Sequence, residues 1–431
     1  MQIKIPELSL IILIGASGGG KSSFAKKHFK PTEILSLDYC RALISDNEND
    51  QTVTKEALEV LHFIAARRLA AGKLTVIDAA NVQTEARKPL LALARKHHAL
   101  PTAIVFNLPE NLCHKRNKQR ADRNVIRQQR ENLKRSLPSL KREGFKHTTI
   151  FDSVEKVDAA EIKRTRLRNN LKHERGPFDI IGDVHGCFDE LIELLDKLGY
   201  QRGNDHPQGR KAVFLGDLVD RGPKTPEVLR HVMDMVAAGT AICVPGNHDI
   251  KLMRKLKGKN VKLTHGLAES VQQLEKMSPA FNKQILEFIE SLVIHYQLDD
   301  GKLVVAHAGM SENLQGRASG KARGFALYGK TTGETDEFGL PVRYDWAADY
   351  RGRAMVVYGH TPVPEARWLN NTICIDTGCV FGGKLTALRY PEKELVSVPA
   401  KYTYHKSVKP FLPEEALAPA LSAQQMQISG V

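Results

Sequence analysis

The second half of the chain contains short apolar runs, each four residues long, that end at glycine or polar side chains. These runs lack the 3.6-residue period of a helix surface, so each predicts a short strand buried on both faces. They are Phe178–Ile181, Ala212–Leu215, Ala241–Val244, Leu303–Ala306 and Met355–Tyr358. We expect the polar residues that follow each strand to converge at the carboxyl ends of the strands.

The first part of the chain repeats this pattern, with helical segments between the strands. The apolar run Leu8–Ile14 enters a glycine-rich segment, and further strands are predicted at 33–37, 74–77 and 102–106. Residues 111–142 read as a long basic helical region. Strands that alternate with helices favour an α/β fold with a parallel sheet.

Carboxylate, imidazole and amide side chains follow the strands of the second half. They are Asp183, His185, Asp217, Asn247, His307 and His360. This mixture suits divalent ions, and one shared carboxylate, for which we select Asp217, is the usual core of a two-metal hydrolytic site. Any one of these residues, taken alone, is equally well explained as a turn residue beside glycine, but five such strand ends in order argue against coincidence.

The glycine-rich segment after Leu8–Ile14 matches G-x-x-x-x-G-K-S between a strand and a helix. Gly15, Gly20, Lys21 and Ser22 are therefore expected to bind ATP and Mg²⁺, the alternative being a glycine-rich turn with an incidental lysine. Further along, Asp38 is either a proton acceptor for phosphoryl transfer or a helix N-cap. The residues Arg116, Arg120 and Arg123 have near-helical spacing and form either a solvated face or a lid over the phosphates.

The chain has 431 residues, 42% of them hydrophobic, which is enough for two or three globular domains. The net charge of +14 is concentrated in residues 115–175, where 19 Lys and Arg face 8 Asp and Glu, so a polyanionic partner or a solvated surface is expected. Six cysteines without a C-x-x-C pair fit a reducing cytoplasm. The run Leu8–Ile14 is too short to cross a membrane, and no membrane association is expected.

From Phe178 to about Tyr390 the chain resembles the calcineurin-like metallophosphoesterases. The resemblance implies an α-β-β-α sandwich with one metal on Asp183, His185 and Asp217 and a second on Asp217, Asn247, His307 and His360, with manganese expected. It also implies that Arg221 contacts the substrate phosphate and that His248, helped by Asp220, protonates the leaving oxygen. From the residues alone, Arg221 offers a planar fork for phosphate and His248 a proton near neutral pH. Asp376 is expected to contact substrate or to act only in a turn.

The first half resembles the kinase module of bacterial polynucleotide kinase-phosphatase. The similarity rests on the P-loop, the pair Asp38-x-x-Arg41, the run 45–51 and the strand end Asp78-x-x-Asn81. It implies that Lys21 and Ser22 serve ATP and Mg²⁺, that Asp38 is the general base on a 5'-hydroxyl and that Arg41 meets a phosphate of the polynucleotide. The arginines Arg116, Arg120 and Arg123 then belong to the lid.

Together these features predict a bifunctional enzyme that heals nucleic acid ends, with RNA favoured over DNA. It would phosphorylate 5'-hydroxyls and remove 3'-terminal or 2',3'-cyclic phosphates. No K-x-D-G motif occurs, so a separate ligase is expected, and a homodimer is compatible with the sequence. Two alternatives stay open: a small-metabolite kinase fused to a protein or dinucleoside-polyphosphate phosphatase, and a non-catalytic nucleic acid tether.

The predicted organisation has four segments. A P-loop kinase domain covers 1–157, a basic linker 158–176 and a metallophosphoesterase domain 177–399, and a flexible tail covers 400–431.

Overall fold

The computed structural model describes residues 1–117, 123–201, 204–410 and 412–413. The first unit comprises residues 1–167 together with 317–319, and its apolar runs become strands of a parallel sheet. The strands are β1 (Gln2–Pro6), β2 (Ser9–Gly15), β3 (Ile34–Ser36), β4 (Thr75–Asp78), β5 (Leu100–Phe106), β6 (His147–Phe151) and β7 (Glu161–Thr165). The main sheet has the order β3-β4-β2-β5-β6, and all its neighbours are parallel. The predicted parallel α/β fold is therefore confirmed.

Helices cover both faces of this sheet, which explains why all seven residues of β2 are buried. They are α1 (Lys21–His28), α2 (Leu37–Ser45), α3 (Thr54–Ala70), α4 (Thr84–Lys96), α5 (Glu110–Arg116), α6 (Arg123–Ser136), α7 (Leu140–Glu143) and α8 (Val154–Asp158). In α3 the buried residues recur every four positions, at Ala57, Leu61, Ala65 and Leu69, and they join the core on one face of the sheet. Phe24 of α1 packs in the core on the opposite face.

The second unit begins at Arg168 and contains two larger sheets and a hairpin. Its strands are β8 (Phe178–Ile181), β9 (Lys211–Phe214), β10 (Ala241–Cys243), β11 (His295–Leu298), β12 (Leu303–Ala306), β13 (Thr331–Thr335), β14 (Pro341–Arg343), β15 (Met355–Tyr358), β16 (Trp368–Leu369), β17 (Thr372–Cys374), β18 (Lys384–Tyr390) and β19 (Glu394–Pro399). Its helices are α9 (Phe188–Leu198), α10 (Thr225–Ala238), α11 (Asn247–Leu256), α12 (Leu267–Glu275), α13 (Pro279–Ser291) and α14 (Gly320–Tyr328).

The two five-stranded sheets pack face to face. One has the order β10-β9-β8-β18-β19 and the other β11-β12-β15-β17-β16, and side chains of both, such as Ile180 and Val357, share one buried cluster. Helices α9 and α10 pack on the outer face of the first sheet and α14 on that of the second. The resulting helix-sheet-sheet-helix layering confirms the predicted sandwich, and the predicted strands 303–306 and 355–358 have the observed bounds.

The segment predicted as a basic linker, 158–176, contains an ordered strand. Strand β7 pairs in parallel with β1, from Gln2 opposite Glu161 to Pro6 opposite Thr165. Ile162 packs against the core of the first unit, and Arg164 forms two hydrogen bonds of 2.7 Å with the Glu33 carboxylate. The segment was predicted to be a linker because it is rich in charged residues. A single inward-facing isoleucine is too weak an apolar pattern to indicate a strand.

The segment predicted as a flexible tail also begins within the fold. The Lys401 backbone N–H and the Tyr404 hydroxyl donate hydrogen bonds to Glu190 Oε1 of α9 (2.8 and 2.7 Å). Residues 414–431 lie outside the described part of the chain. The region 111–142, predicted to be basic and helical, contains most of α5, all of α6 and the start of α7. Among the described helices, none has the length and apolar character needed to cross a membrane.

Candidate active sites

The glycine-rich turn after β2 wraps around the Lys21 side chain. Lys21 Nζ donates hydrogen bonds to the carbonyl oxygens of Gly15 (2.8 Å) and Ala16 (2.9 Å). Gly18 has a φ of +76°, and a Cβ at this position would lie 2.2 Å from the Cys113 carbonyl oxygen, so the turn requires glycine there. Burial lowers the pKa of the Lys21 ammonium. The turn thus holds a buried ammonium at the place where the motif predicts nucleotide phosphates.

Ser22 and Asp78 meet beside this ammonium. The Ser22 side chain is close enough to the Asp78 carboxylate, at the end of β4, to affect its pKa. Burial raises the pKa of Asp78, an effect that the Ser22 hydroxyl and the charge of Lys21 oppose. A hydroxyl and a carboxylate are the protein groups that hold Mg²⁺ in P-loop proteins, so the pair fits the predicted Mg²⁺. The sequence identified Asp78 only as a strand end.

The predicted general base, Asp38, lies in the first turn of α2 and not at a strand end. Ser36 is the N-cap, because its hydroxyl accepts a hydrogen bond from the Tyr39 backbone N–H. The Arg41 guanidinium pairs with the Asp38 carboxylate, and its Nε donates to the Glu48 carbonyl oxygen (2.9 Å). The Asp38 side chain is 50% exposed, so it can meet a substrate from solvent. The structure therefore brings the predicted base and the predicted phosphate contact together.

The arginines predicted to form a lid differ in their placement. Arg116 ends α5, and its guanidinium lies 3.5 Å from where a Cβ of Gly20 would be, so it borders the P-loop. Arg123 begins α6, and Arg120 lies outside the described residues. Arg116 is thus observed next to the predicted phosphate site.

A cavity of about 840 Å³ lies in the same unit and was not predicted. Amide side chains from several elements line it together with apolar groups: Asn81, Gln83, Asn124, Gln128, Gln129 and Asn132. Gln129 Oε1 also accepts a hydrogen bond from the backbone N–H of Ser17 in the P-loop (2.8 Å), which joins the cavity wall to that loop. The described residues that line the cavity include no lysine or arginine. Its wall therefore suits a neutral, hydrogen-bonding group more than a phosphate.

In the second unit, the strand ends bring metal-ligating side chains into one cluster, as predicted. Ligand atoms of Asp217, His307 and His360 lie within 4.8 Å of one another, and so do those of His185, Asp217 and His248. Asp217 belongs to both groups, which is the arrangement expected of a carboxylate that bridges two ions. The second group differs from the predicted set, because it contains His248, predicted as a proton donor, in the place of Asp183.

The remaining two predicted ligands adjoin these groups. Asn247, the first residue of α11, places its Oδ1 3.0 Å from His307 Nε2. The Asp183 carboxylate accepts a hydrogen bond from the His360 backbone N–H (3.1 Å). All six predicted metal ligands therefore lie at one end of the sandwich.

The hydrogen bonds around His307 fit a bound cation. His307 Nδ1 lies 3.0 Å from the Leu215 carbonyl oxygen, which can only accept, so Nδ1 carries a proton. Its Nε2 faces Asn247 Oδ1 (3.0 Å) and Asp217 Oδ2 (3.3 Å), which are both acceptors, and His360 Nδ1 (2.9 Å). Several lone pairs directed at one point suit a divalent ion of the borderline class. The residues present thus fit the predicted metals.

Arg221 lies between two imidazoles of the cluster. Its Nη1 is 2.7 Å from His185 Nε2 and its Nη2 is 3.0 Å from His248 Nε2. His185 Nδ1 lies 2.7 Å from the Val219 carbonyl oxygen and His248 Nδ1 2.6 Å from Asp220 Oδ2, so both rings are protonated at Nδ1 and accept from the guanidinium at Nε2. A guanidinium held in this way presents its fork to the centre of the cluster, where it matches a phosphate group.

The electrostatics of the cluster favour positive ions. Burial raises the pKa of Asp183 well above its usual range, and the negative charges of Asp376 and Asp217 add to the effect. Burial lowers the pKa of His185 and of His360 well below the ordinary imidazole value. Burial also acts against the charges of Asp217 and His307, but their mutual attraction outweighs it, so the pKa of Asp217 lies well below its usual range and that of His307 is raised. Cations would neutralise the carboxylates and coordinate the neutral imidazoles of His185 and His360.

Asp376 lies in a turn beside the cluster. Its Oδ1 accepts a hydrogen bond from the Gly378 backbone N–H (3.1 Å), and its side chain is buried. The turn interpretation is thus observed, and the charge of Asp376 acts on Asp183 from this position.

Asp249 is a positioning residue that the sequence analysis missed. Its carboxylate accepts hydrogen bonds from the backbone N–H groups of Leu218 (3.0 Å) and Gly246 (2.8 Å), and so ties the loop after β9 to the loop after β10. A Cβ at Gly246 would lie 2.0 Å from Asp217 Oδ1, so this contact also requires glycine. The only sequence signal was the position of Asp249 two residues after Asn247.

Sequence profiles of two families match the chain in the expected order. The profile of the AAA domain matches residues 10–141, and that of the calcineurin-like phosphoesterases matches residues 176–387.

Curated relatives match about half of the chain. A bis(5'-nucleosyl)-tetraphosphatase (asymmetrical) of Anoxybacillus flavithermus is 53% identical over 234 residues, which are 53% of this chain and 96% of the relative. The Bacillus subtilis protein of the same name is 48% identical over 237 residues, 53% of this chain and 97% of the relative. Among solved structures, a cold-active protein tyrosine phosphatase of a Shewanella species is 17% identical with a TM-score of 0.36, over 54% of this chain and 82% of that protein.

Proposed function

The chain belongs to the calcineurin-like phosphoesterase family, with a P-loop domain ahead of the phosphoesterase domain, and we propose that it is a bifunctional enzyme that acts on dinucleoside polyphosphates and on a small phosphoryl acceptor. The second domain would hydrolyse a phosphoanhydride, and the first would transfer the ATP γ-phosphate to a hydroxyl. The observation that carries the proposal is the double cluster sharing Asp217, with Arg221 directed into it. The names of the relatives favour the dinucleoside polyphosphate as substrate.

In the second domain, Arg221 and His248 would act directly on the substrate. Divalent ions at the six ligands would supply Lewis acidity towards a phosphoryl oxygen. The Arg221 fork would bind two phosphoryl oxygens and leave its contacts with His185 and His248. Freed from Arg221, His248 Nε2 would carry a proton to the leaving oxygen, while Asp220 holds Nδ1–H (2.6 Å) and stabilises the imidazolium.

The role of His248 can be tested with leaving groups of different basicity. We expect His248→Ala to lower kcat/KM on a nucleoside 3'-phosphate by about 10²- to 10⁴-fold, since the departing alkoxide needs a proton. Nitrophenyl phosphate should lose far less, because nitrophenolate leaves unprotonated. Asp220→Asn weakens the orientation of the same ring. It should also lower kcat/KM more on the nucleoside 3'-phosphate than on nitrophenyl phosphate, with smaller losses than His248→Ala. Equal losses on both substrates would show that His248 is a metal ligand or a structural residue.

In the first domain, Lys21 would bind the phosphates of ATP, and Asp38 would accept the proton of the acceptor hydroxyl. A small acceptor is supported by the cavity of about 840 Å³, because pockets for small molecules span about 300–1,000 Å³ and its wall is apolar and amide-rich. Arg41, paired with Asp38, would orient the carboxylate or meet an anionic group of the acceptor.

Nucleic acid end healing is a second candidate. The 19 Lys and Arg against 8 Asp and Glu in residues 115–175 favour it, because such a segment can follow a phosphate backbone. In this case the substrates would be 5'-hydroxyl and 3'-phosphate ends, RNA ends first among them, and a separate ligase would seal the product.

A substrate comparison separates the two candidates. The purified protein would be incubated with ATP, Mg²⁺ and Mn²⁺, and either diadenosine tetraphosphate or an oligoribonucleotide with 5'-hydroxyl and 3'-phosphate ends. We expect ATP and AMP to be released from the tetraphosphate with a higher kcat/KM than phosphate from the oligonucleotide. Healing of both oligonucleotide ends without tetraphosphate hydrolysis would overturn the proposal in favour of the second candidate.

A further inference from the structure

A small cleft opens beside the metal-ligand cluster and has no part in the proposed chemistry so far. It has a volume of about 210 Å³, and its wall includes Lys330, Arg343, Tyr344, Trp346, Tyr358 and His360. Because His360 also contributes to the cluster around Asp217, the cleft borders the site of hydrolysis. We call it the hairpin cleft, since strands β13 and β14 meet at its edge.

The base of this hairpin brings two cations to the wall of the cleft. Thr331 pairs with Arg343, and the Tyr344 backbone N–H donates to the Lys330 carbonyl oxygen (2.8 Å), so Lys330 and Arg343 occupy diagonal positions across the base of the hairpin. Gly339, with a φ of +75°, closes the turn at the other end. The cations are therefore held by backbone pairing and not by a loop alone.

Neither cation is neutralised by an acidic partner in the described part of the chain. Lys330 Nζ lies 3.9 Å from the centre of the Tyr344 ring, and Arg343 donates to the Tyr328 carbonyl oxygen. Asp345 is the acidic residue among those that line the cleft, and its Oδ1 accepts from the Ala348 backbone N–H (3.3 Å). A wall with two unneutralised cations attracts an anion.

Arg343 lines the cleft together with His360, which also belongs to the cluster around Asp217. An anion held by Arg343 would therefore adjoin the metal-ligand cluster.

Aromatic rings form the rest of the wall. Trp346 packs edge-on against Phe325 and Tyr350 (5.7 and 5.9 Å between ring centres) and at a tilt against Tyr358 (5.0 Å), so it is fixed in place. Tyr344 is more exposed, with Lys330 over its ring. An aromatic surface next to cations suits an aromatic base that is attached to phosphate.

The size of the cleft limits what it can hold. Pockets for whole drug-sized ligands span about 300–1,000 Å³, so a cleft of about 210 Å³ takes only part of a larger molecule. We infer that the hairpin cleft is a subsite for the polyphosphate chain beyond the phosphorus atom under attack, with Lys330 and Arg343 on the next phosphates and Tyr344 beside the attached nucleoside. The assignment rests on the proposed function, because it presumes that hydrolysis takes place at the Asp217 cluster.

Kinetics of charge-removing variants test the subsite. In Lys330→Gln and Arg343→Gln, KM for diadenosine tetraphosphate should rise about tenfold or more, as expected when a charge-assisted hydrogen bond is lost. Nitrophenyl phosphate has no second phosphate and so makes no such hydrogen bond, and its KM should stay within about twofold of the unmodified protein's value. Arg323→Gln, which removes an exposed cation of α14 that does not line the cleft, is the matched control and should change neither value.

A binding measurement separates failure of the subsite from failure of the proposed function. Tripolyphosphate and orthophosphate would be compared as competitive inhibitors of nitrophenyl phosphate hydrolysis, with the free metal concentration held constant. In the unmodified protein tripolyphosphate should bind more tightly, and either substitution should reduce this preference, whether or not diadenosine tetraphosphate is a substrate. Tyr344→Ala should raise KM for the dinucleotide and leave tripolyphosphate inhibition unchanged.

Three results would overturn the inference. They are an unchanged tripolyphosphate preference in both charge variants, equal losses on nitrophenyl phosphate and the tetraphosphate, and a larger loss on an oligonucleotide 3'-phosphate than on the tetraphosphate. The last result would assign the cleft to a nucleic acid strand.

Discussion

Replacing Asp217 with Asn is expected to lower phosphatase turnover at least about a thousandfold, because bound ions supply several kcal/mol of transition-state stabilisation and 1.36 kcal/mol corresponds to a factor of ten. Asp217 contributes to both ligand groups, so one substitution removes a charge from both. Asp217 Oδ1 also accepts a hydrogen bond from the His248 backbone N–H (2.9 Å). The amide oxygen of asparagine can accept the same hydrogen bond, so the loop should keep its position.

The measurement is kcat on nitrophenyl phosphate together with metal content per chain. Asp234→Asn, an exposed carboxylate of α10, is the matched control and should retain full activity and metal. An Asp217→Asn protein that binds both ions and keeps more than about a tenth of its activity, a loss of under 1.4 kcal/mol, would exclude Asp217 as the shared ligand.

Lys21→Ala should reduce phosphoryl transfer by the first domain about 10²- to 10³-fold, the range for removal of one preorganised charge-stabilising donor. The ammonium is buried and rests on the carbonyl oxygens of Gly15 and Ala16, so a bound phosphate would take over its hydrogen bonds. Nucleotide binding should weaken as well. The assay is transfer of labelled γ-phosphate from ATP, with Lys27→Ala, a change on the same helix, as the control.

Each of these variants also controls for the other. No residue of the Lys21 site belongs to the Asp217 cluster, so Lys21→Ala should leave phosphatase turnover unchanged and Asp217→Asn should leave phosphoryl transfer unchanged. Loss of both activities in either variant would indicate unfolding, or a single catalytic centre.

The sandwich and its ligand cluster were predictable because strands buried on both faces leave uninterrupted apolar runs. Glycine or polar residues must follow such strands, since the chain turns there, and the ligands occupy these turns. The P-loop and Asp78 were predicted in the same way, from the ends of apolar runs. The predicted bounds of β12 and β15 agree with the structure, and those of β9 and β10 differ from it by one residue.

Features made by tertiary contact alone were not predictable. Every residue of β13 is exposed, so the strand has no apolar period to read. Asp249 and Gln129 act through hydrogen bonds to backbone N–H groups of distant loops, and such contacts depend on how those loops meet. The sequence placed Asp38 at the end of the predicted strand 33–37. In the structure Ser36 caps α2, so the helix begins at Leu37, the last residue of that predicted strand.

The first and last strands of the first unit, β1 and β7, pair in parallel over five residues. The Met1 ammonium also donates a hydrogen bond to the Ala159 carbonyl oxygen (2.6 Å). If residues 1–167 are taken as a module, its two ends are therefore separated by the length of one short strand. A linker of roughly five to six extended residues would join them, at about 3.3–3.6 Å per residue, so the module should tolerate circular permutation. A module that ended at residue 157 would lack β7, so β1 would become an unpaired edge strand and Ile3 and Ile5 would be exposed. We expect such a fragment to aggregate and not to fold as a unit that could be transferred to another protein.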